Sequence, residues 1–337
     1  MNSSRLQRWC LPGLNQWLWL VVFLVLLTEP WRTVMVSADG DACFHWRVGE
    51  YMLQTGHIIR QDVFSHTRDG APVISKEWLA EIIFALAGRT AGLTGLSVVA
   101  ALVIATTFAL LHHQLIREGN DPLTTSLVII LAMWAAVTHW LARPHVFSFL
   151  LLVLWHDALR QHQRTGKLGP LLGCLAGLTL LWVNIHGAYL AGFLVLAAYW
   201  GGTFLEKNLA RLAHLTLAGL VCALVSLLNP NGWRLHAHSL TFLQNKFFTN
   251  WLVEYASPNF QSPATLGFVV WLGLFLVILA LARPRLRATE RVLLFMWGYF
   301  ALYASRNVSL FAILTAPLVA PTISQWVRQR WPGIAAR

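Results

Sequence analysis

Apolar runs of bilayer length recur along the chain, separated by short polar stretches. A hydrocarbon core about 30 Å thick takes roughly 20 residues of helix. Runs of that order lie at 14–28, 93–111, 123–141, 145–159, 168–184, 187–204, 212–228, 264–282, 290–304 and 309–327. This pattern predicts an all-α, polytopic transmembrane helical bundle of about ten spans, with residues 1–337 as one integral membrane domain. The first run follows Arg5 and Arg8. Cleavage of a signal peptide after Val36-Ser37-Ala38 is the competing reading, but Glu29-Pro30 closes the run well before that site, as a helix end does.

Two long segments interrupt the runs, at about 37–92 and 229–263. In the first, Phe44, Val48, Tyr51 and Met52 recur at helical spacing, which predicts an amphipathic helix with Asp41 as its N-cap and Gly56 at its end. Trp46 and Tyr51 suit a membrane interface. Asp69-Gly70 marks a turn. A second helix is expected from Ser75 or Lys76 toward Leu86, with Glu77 and Glu81 on one face and Trp78, Ile82 and Ala85 on another. Both helices are expected to be interfacial. The second long segment opens on an Asn229-Pro230-Asn231-Gly232 turn, followed by His236 and His238, whose spacing on a strand would put both rings on one side.

Composition strengthens this picture. Hydrophobic residues make up 57% of the chain and charged residues 12%, with a mean hydropathy of +0.57. A soluble domain carries about twice that charged fraction. The net charge of +11 points to membrane lipid rather than nucleic acid, because no nucleic-acid motif accompanies it and the basic residues collect in particular loops. Arg283, Arg285 and Arg287 sit in one short connection, while Asn184-Ile185-His186-Gly187 forms another with no basic residue. The positive-inside rule then makes both termini cytoplasmic and both long segments extracytoplasmic. Cys10, Cys43, Cys174 and Cys222 have neither metal-site nor disulfide-framework spacing, and Cys174 and Cys222 are expected to pack among apolar neighbours.

That orientation gathers the unusual polar residues on the extracytoplasmic side. Asp39 and Asp41 either cap a helix, act as a general base, or form a D-x-D pair able to hold a divalent cation near phosphate oxygens. Arg143, beside Pro144 and His145 at a tight junction, is placed either to clamp a phosphate or to snorkel to headgroups. Asn184 and His186 join two apolar runs with almost no loop, so they face a cavity or bond between helices. Glu254 precedes one run, and Arg306 and Asn307 lie between the last two.

The order of these segments resembles a family of bacterial multispanning proteins that are themselves similar to GT-C glycosyltransferases. The resemblance rests on Asp39-Gly40-Asp41, Trp46-Arg47-Val48-Gly49-Glu50, Asp62-Val63-Phe64-Ser65 and Glu77-Trp78-Leu79-Ala80-Glu81. It continues through Ala142-Arg143-Pro144-His145, Trp182-Val183-Asn184-Ile185-His186-Gly187, Asn229-Pro230-Asn231-Gly232, Glu254, Ser257-Pro258 and Arg306-Asn307. It implies a GT-C-like fold in the bacterial inner membrane, with a polyprenyl-phosphate-linked sugar as donor and an extracytoplasmic acceptor. Asp41 would be the catalytic acid-loop residue, with Asp39 assisting, and Arg143 and Arg306 would neutralise the carrier phosphate. Glu77, Glu81, His145, Asn184, His186, Glu254 and Asn307 would contribute to substrate binding. A transporter or flippase of lipid-linked saccharide, or a non-catalytic subunit of an envelope polysaccharide system, are the alternatives.

Overall fold

The computed structural model describes residues 13–38, 40–281 and 286–330. Among them the fold is all-helical. Fourteen α-helices run in order: α1 Leu14–Leu26, α2 Glu29–Ser37, α3 Asp41–Thr55, α4 Trp78–Arg117, α5 Pro122–Ala136, α6 His145–Thr165, α7 Leu168–Ile185, α8 Tyr189–Leu205, α9 Leu209–Val225, α10 Trp233–Gln244, α11 Lys246–Trp251, α12 Leu266–Leu281, α13 Ala288–Tyr303 and α14 Val308–Arg330. Each of the ten apolar runs falls on a helix. Among the described residues, five helical segments are long and apolar enough to cross a membrane, or six if α1 and α2, bent by 70°, count as one span; α8 and α9 are apolar but shorter. These helices suit a multi-pass membrane protein.

α14 is the centre of the bundle. Every residue from Val308 to Pro317 is buried, so this part of the helix is covered on all sides. Trp271 on α12 donates its indole N–H to Thr315 Oγ1 at 3.0 Å, and Ser309 Oγ donates to the Ala136 carbonyl at 3.1 Å. These bonds satisfy polar groups that water would not reach. At one end of the bundle Glu118 holds Arg160 and Arg164, the latter at 2.6 Å. The site described below is at the other end.

The first long segment departs from its sequence pattern in three ways. Its first helix, α3, is present and ends at Gly56 as expected, but Gly40 is the N-cap and Asp41 sits in the first turn. The buried face is Ala42, His45, Val48, Gly49 and Met52, with Phe44 51% exposed. The phase is set by Gly49, where an added Cβ would lie 1.9 Å from the Glu81 carbonyl oxygen. Only a glycine lets α3 lie this close to α4, and that contact turns His45 inward. Finally, the expected second helix starts at Trp78, not at Ser75 or Lys76; it and the helix of the next apolar run, which follows without a loop, together make up α4. Ala91 and Gly92 break it, Gly92 at φ +58°. α2 was not foreseen: Glu29-Pro30 opens a helix, with proline in its first turn.

The Asp69-Gly70 turn forms, with the Ala71 N–H bonded to the Arg68 carbonyl at 3.0 Å. His236 and His238 lie on a helix, α10, so their rings diverge; His236 bonds Tyr189 and Ser226. Cys222 is buried as expected, whereas Cys174 is exposed. The second long segment is tied to the first by Asn231, whose amide donates to the Ser75 carbonyl at 2.9 Å.

Candidate functional site

Four distant stretches converge at one end of the bundle. Asp41 stands in the first turn of α3, where a carboxylate complements the helix dipole. Arg143 lies just before α6, in a junction fixed to α2 by the Ala142 N–H, which donates to the Met35 carbonyl at 2.8 Å. Arg143 Nη2 reaches Asp41 Oδ2 at 2.7 Å. Glu254 sits in a 3₁₀ turn of the second long segment. The Ser305 N–H donates to the Ala256 carbonyl at 2.8 Å, and Ser305 Oγ donates to the Glu254 carbonyl at 3.1 Å. These bonds draw Arg306 alongside, with Nη1 3.4 Å from Glu254 Oε1. Arg143 Nη1 is 3.9 Å from the other Glu254 oxygen. The Arg306 guanidinium also covers the Tyr255 ring at 4.4 Å. Burial pushes the Tyr255 phenol above its ordinary range, so it stays neutral there.

The result is a shelf of alternating charge, Asp41–Arg143–Glu254–Arg306, in which all four side chains keep solvent access. Asp41 is the most open, with half its side chain exposed. Arg143, Glu254 and Arg306 are partly buried, and the water that still reaches them screens these pairs. Screening leaves the arginines able to exchange a carboxylate for a phosphate.

A second cluster is buried behind the shelf. His45, one helical turn beyond Asp41, places Nδ1 3.2 Å from Glu81 Oε1 and 3.8 Å from Glu77 Oε2. Glu77 caps α4 and Glu81 lies one turn in. The other Glu77 oxygen, Oε1, is 3.3 Å from His186 Nε2 and 3.9 Å from Lys76 Nζ.

The protons along this chain follow from chemistry. The Trp182 indole can only donate, and it does so to Ser148 Oγ at 2.7 Å. Ser148 is then free to donate to His186 Nδ1, at 2.8 Å, and the Ala188 N–H also faces that nitrogen. The remaining ring proton is therefore on Nε2 and points at Glu77. Burial, reinforced by nearby His145 and Arg306, holds the His186 imidazole well below its ordinary range, which keeps it neutral.

His145 connects the two clusters: it is two residues from Arg143 in sequence, and its ring lies 6.4 Å from that of His186. Its Nε2–H donates to the His139 carbonyl at 2.7 Å. Asn184 takes the Trp78 indole N–H at 2.9 Å and donates to the Leu180 and Leu228 carbonyls. With Trp78 it borders an open apolar groove of about 610 Å³, which also includes Leu180, Leu181, Leu228 and Pro230. Asn307 is apart from both clusters; its amide donates to the Phe300 carbonyl at the end of α13. Asp39 lies outside the described residues.

Asp41, Arg143, Glu254 and Arg306 therefore share one shelf, and Glu77, Glu81 and His186 share the cluster behind it. His45, Lys76, Ser148 and Tyr255 belong to this site although sequence reasoning gave them no role. The spacing of Asp41 to His45, and of Glu77 to Glu81, is four residues in each case. That is the signal that could have paired the two helix faces. No family model, curated protein or solved structure matches this chain.

Proposed function

We propose that the chain is a GT-C-type membrane glycosyltransferase of about ten spans that moves a sugar from a polyprenyl-phosphate carrier to an acceptor on the extracytoplasmic face of the bacterial inner membrane. The observation that carries this reading is the shelf itself. One open carboxylate, Asp41, meets Arg143, Glu254 draws Arg143 and Arg306 together from remote stretches, and an apolar groove begins at Trp78, the residue after Glu77 of the buried cluster. A lipid-linked phosphate needs these three surroundings together: cations for its charge, an apolar surface for its chain, and a base for the incoming hydroxyl.

The chemistry is a single displacement. Asp41 takes the proton of the acceptor hydroxyl as its oxygen bonds to the anomeric carbon of the sugar. The bond from that carbon to the phosphate oxygen breaks, and the electron pair leaves with the polyprenyl phosphate. Arg143 and Arg306 stabilise the charge that develops on the phosphate. The isoprenoid chain lies along Trp78, Leu180 and Leu228, an apolar surface that requires no polar partner. Glu254 bridges the two arginines until donor binds.

Donor binding tests the role of the arginines. Purified protein is titrated with a polyprenyl-phosphate sugar, and Arg306→Gln and Arg143→Gln are each expected to weaken binding by about 10-fold or more, the equivalent of one charge-assisted hydrogen bond of 1.5–3 kcal/mol. Undiminished affinity in both variants would remove the basis of the assignment. Transport of the lipid-linked sugar without any transfer would favour a flippase instead.

A further inference from the structure

The buried cluster is not balanced by its own residues. His45, Glu77 and Glu81 are 6%, 8% and 5% exposed. His45 Nδ1 carries at most one proton yet faces two carboxylates. Glu81 Oε2 is buried with no hydrogen-bond partner among the described residues. Lys76, the nearest cation, reaches only the Glu77 oxygen on the His186 side, at 3.9 Å, and is itself 39% exposed. A buried carboxylate left in this condition costs several kcal/mol. Two carboxylates and one empty acceptor therefore surround a small volume: one donor atom from each of His45, Glu77 and Glu81 lies within 4.8 Å of the other two.

We propose that His45, Glu77 and Glu81 bind one divalent transition-metal ion. The donor set selects the class of ion. Ca²⁺ and Mg²⁺ take oxygen ligands, whereas an imidazole nitrogen with two carboxylates suits Mn²⁺ or Zn²⁺. The ion takes the lone pair of His45 Nδ1, whose proton passes to solvent as Nε2 carries the single proton of the neutral ring; the ion also engages the idle side of Glu81 and supplies the missing positive charge. Three protein ligands leave a coordination position open for water or a substrate oxygen.

The surroundings are built like a second shell. The Trp182–Ser148–His186 chain delivers an N–H to Glu77 Oε1 and so turns Oε2 toward His45. Gly49 brings α3 close enough to α4 for His45 and Glu81 to share one point. This site differs from the Asp39-x-Asp41 pair that the sequence favours for a cation, since Asp41 faces the Arg143 guanidinium at 2.7 Å. It also stands independently of the transferase reading: a flippase with these residues would hold the same ion.

The test is direct metal binding to the full chain, purified in detergent and stripped with a chelator. Electron paramagnetic resonance with added Mn²⁺ is expected to show one saturable site per chain, with nitrogen coupling from a single imidazole. Zn²⁺ should displace the Mn²⁺, in keeping with the usual affinity order, and excess Mg²⁺ should not. Glu81→Gln is expected to weaken binding by at least about 100-fold, and His186→Gln by about 10–100-fold. Metal-free Glu81→Gln should melt no lower than the metal-free parent, because glutamine removes a buried charge. Absence of a saturable Mn²⁺ site in the parent protein overturns the proposal. So does a site without imidazole coupling, or one whose affinity Glu81→Gln leaves unchanged. The nitrogen coupling is read in the parent protein, so the test survives a variant that does not fold.

Discussion

Asp41 and Glu81 are both acids of the first long segment, and their surroundings give them different work. Asp41 is half exposed and meets a guanidinium; Glu81 is buried and shares a histidine with a second carboxylate. His186 offers a sharper test of such surroundings. Its imidazole is held below the ordinary histidine range by burial, so below about pH 6.5 the unfolded chain binds a proton that the folded chain does not. Stability contributed by this residue is complete above that pH and declines as pH falls. Thermal melts between pH 7.5 and 5 should therefore drop less steeply for His186→Gln than for the parent. Parallel curves would mean that His186 is not the neutral link between Ser148 and Glu77. Much of this residue-level site was legible because ionisable groups at the ends of apolar runs are costly without a purpose, which singled out Arg143, His186, Glu254 and Arg306. His45 escaped because the helix face was phased on Phe44. Asn307 looked similar to its neighbour Arg306, but its amide completes the end of α13.

Among the elements, the contact between α3 and α4 determines whether the site exists. Gly49→Ala puts a methyl group against the Glu81 carbonyl and must push the helices apart. The cost of such overpacking is about 1–3 kcal/mol, read as a lowered melting temperature. Separation of His45 from Glu81 should also weaken Mn²⁺ binding. If Gly49→Ala melts and binds as the parent does, the close approach is not what assembles the cluster. Helix positions were readable because apolar runs are long and their boundaries polar. The break between 78–90 and the run that begins at 93 was readable as well, because Arg89-Thr90-Ala91-Gly92 interrupts the apolar pattern where Ala91 and Gly92 leave helical geometry. α2 was not, because Pro30 reads as a helix end when its neighbours are not considered, yet it fits the first turn of a new helix.

At the scale of the molecule, composition alone indicated a helical membrane protein, and the central burial of α14 explains how one chain encloses a site at one end. Which end faces outward rests on the asymmetry of basic residues. Single cysteines introduced into a background without native ones make that measurable. Asp69→Cys, exposed near the site, should react with an impermeant maleimide on intact spheroplasts, and Thr165→Cys, exposed at the end of α6, only after lysis. The reverse pattern would turn the bundle over and put the shelf in the cytoplasm. The most direct examination of the function is sugar transfer itself. Purified parent protein and Asp41→Asn are compared for release of polyprenyl phosphate and glycosylation of acceptor from a polyprenyl-phosphate sugar donor. If Asp41 accepts the proton, transfer falls by about 10²–10⁴-fold in the variant while donor affinity is kept; equal rates in the two proteins would show that this carboxylate is not the base.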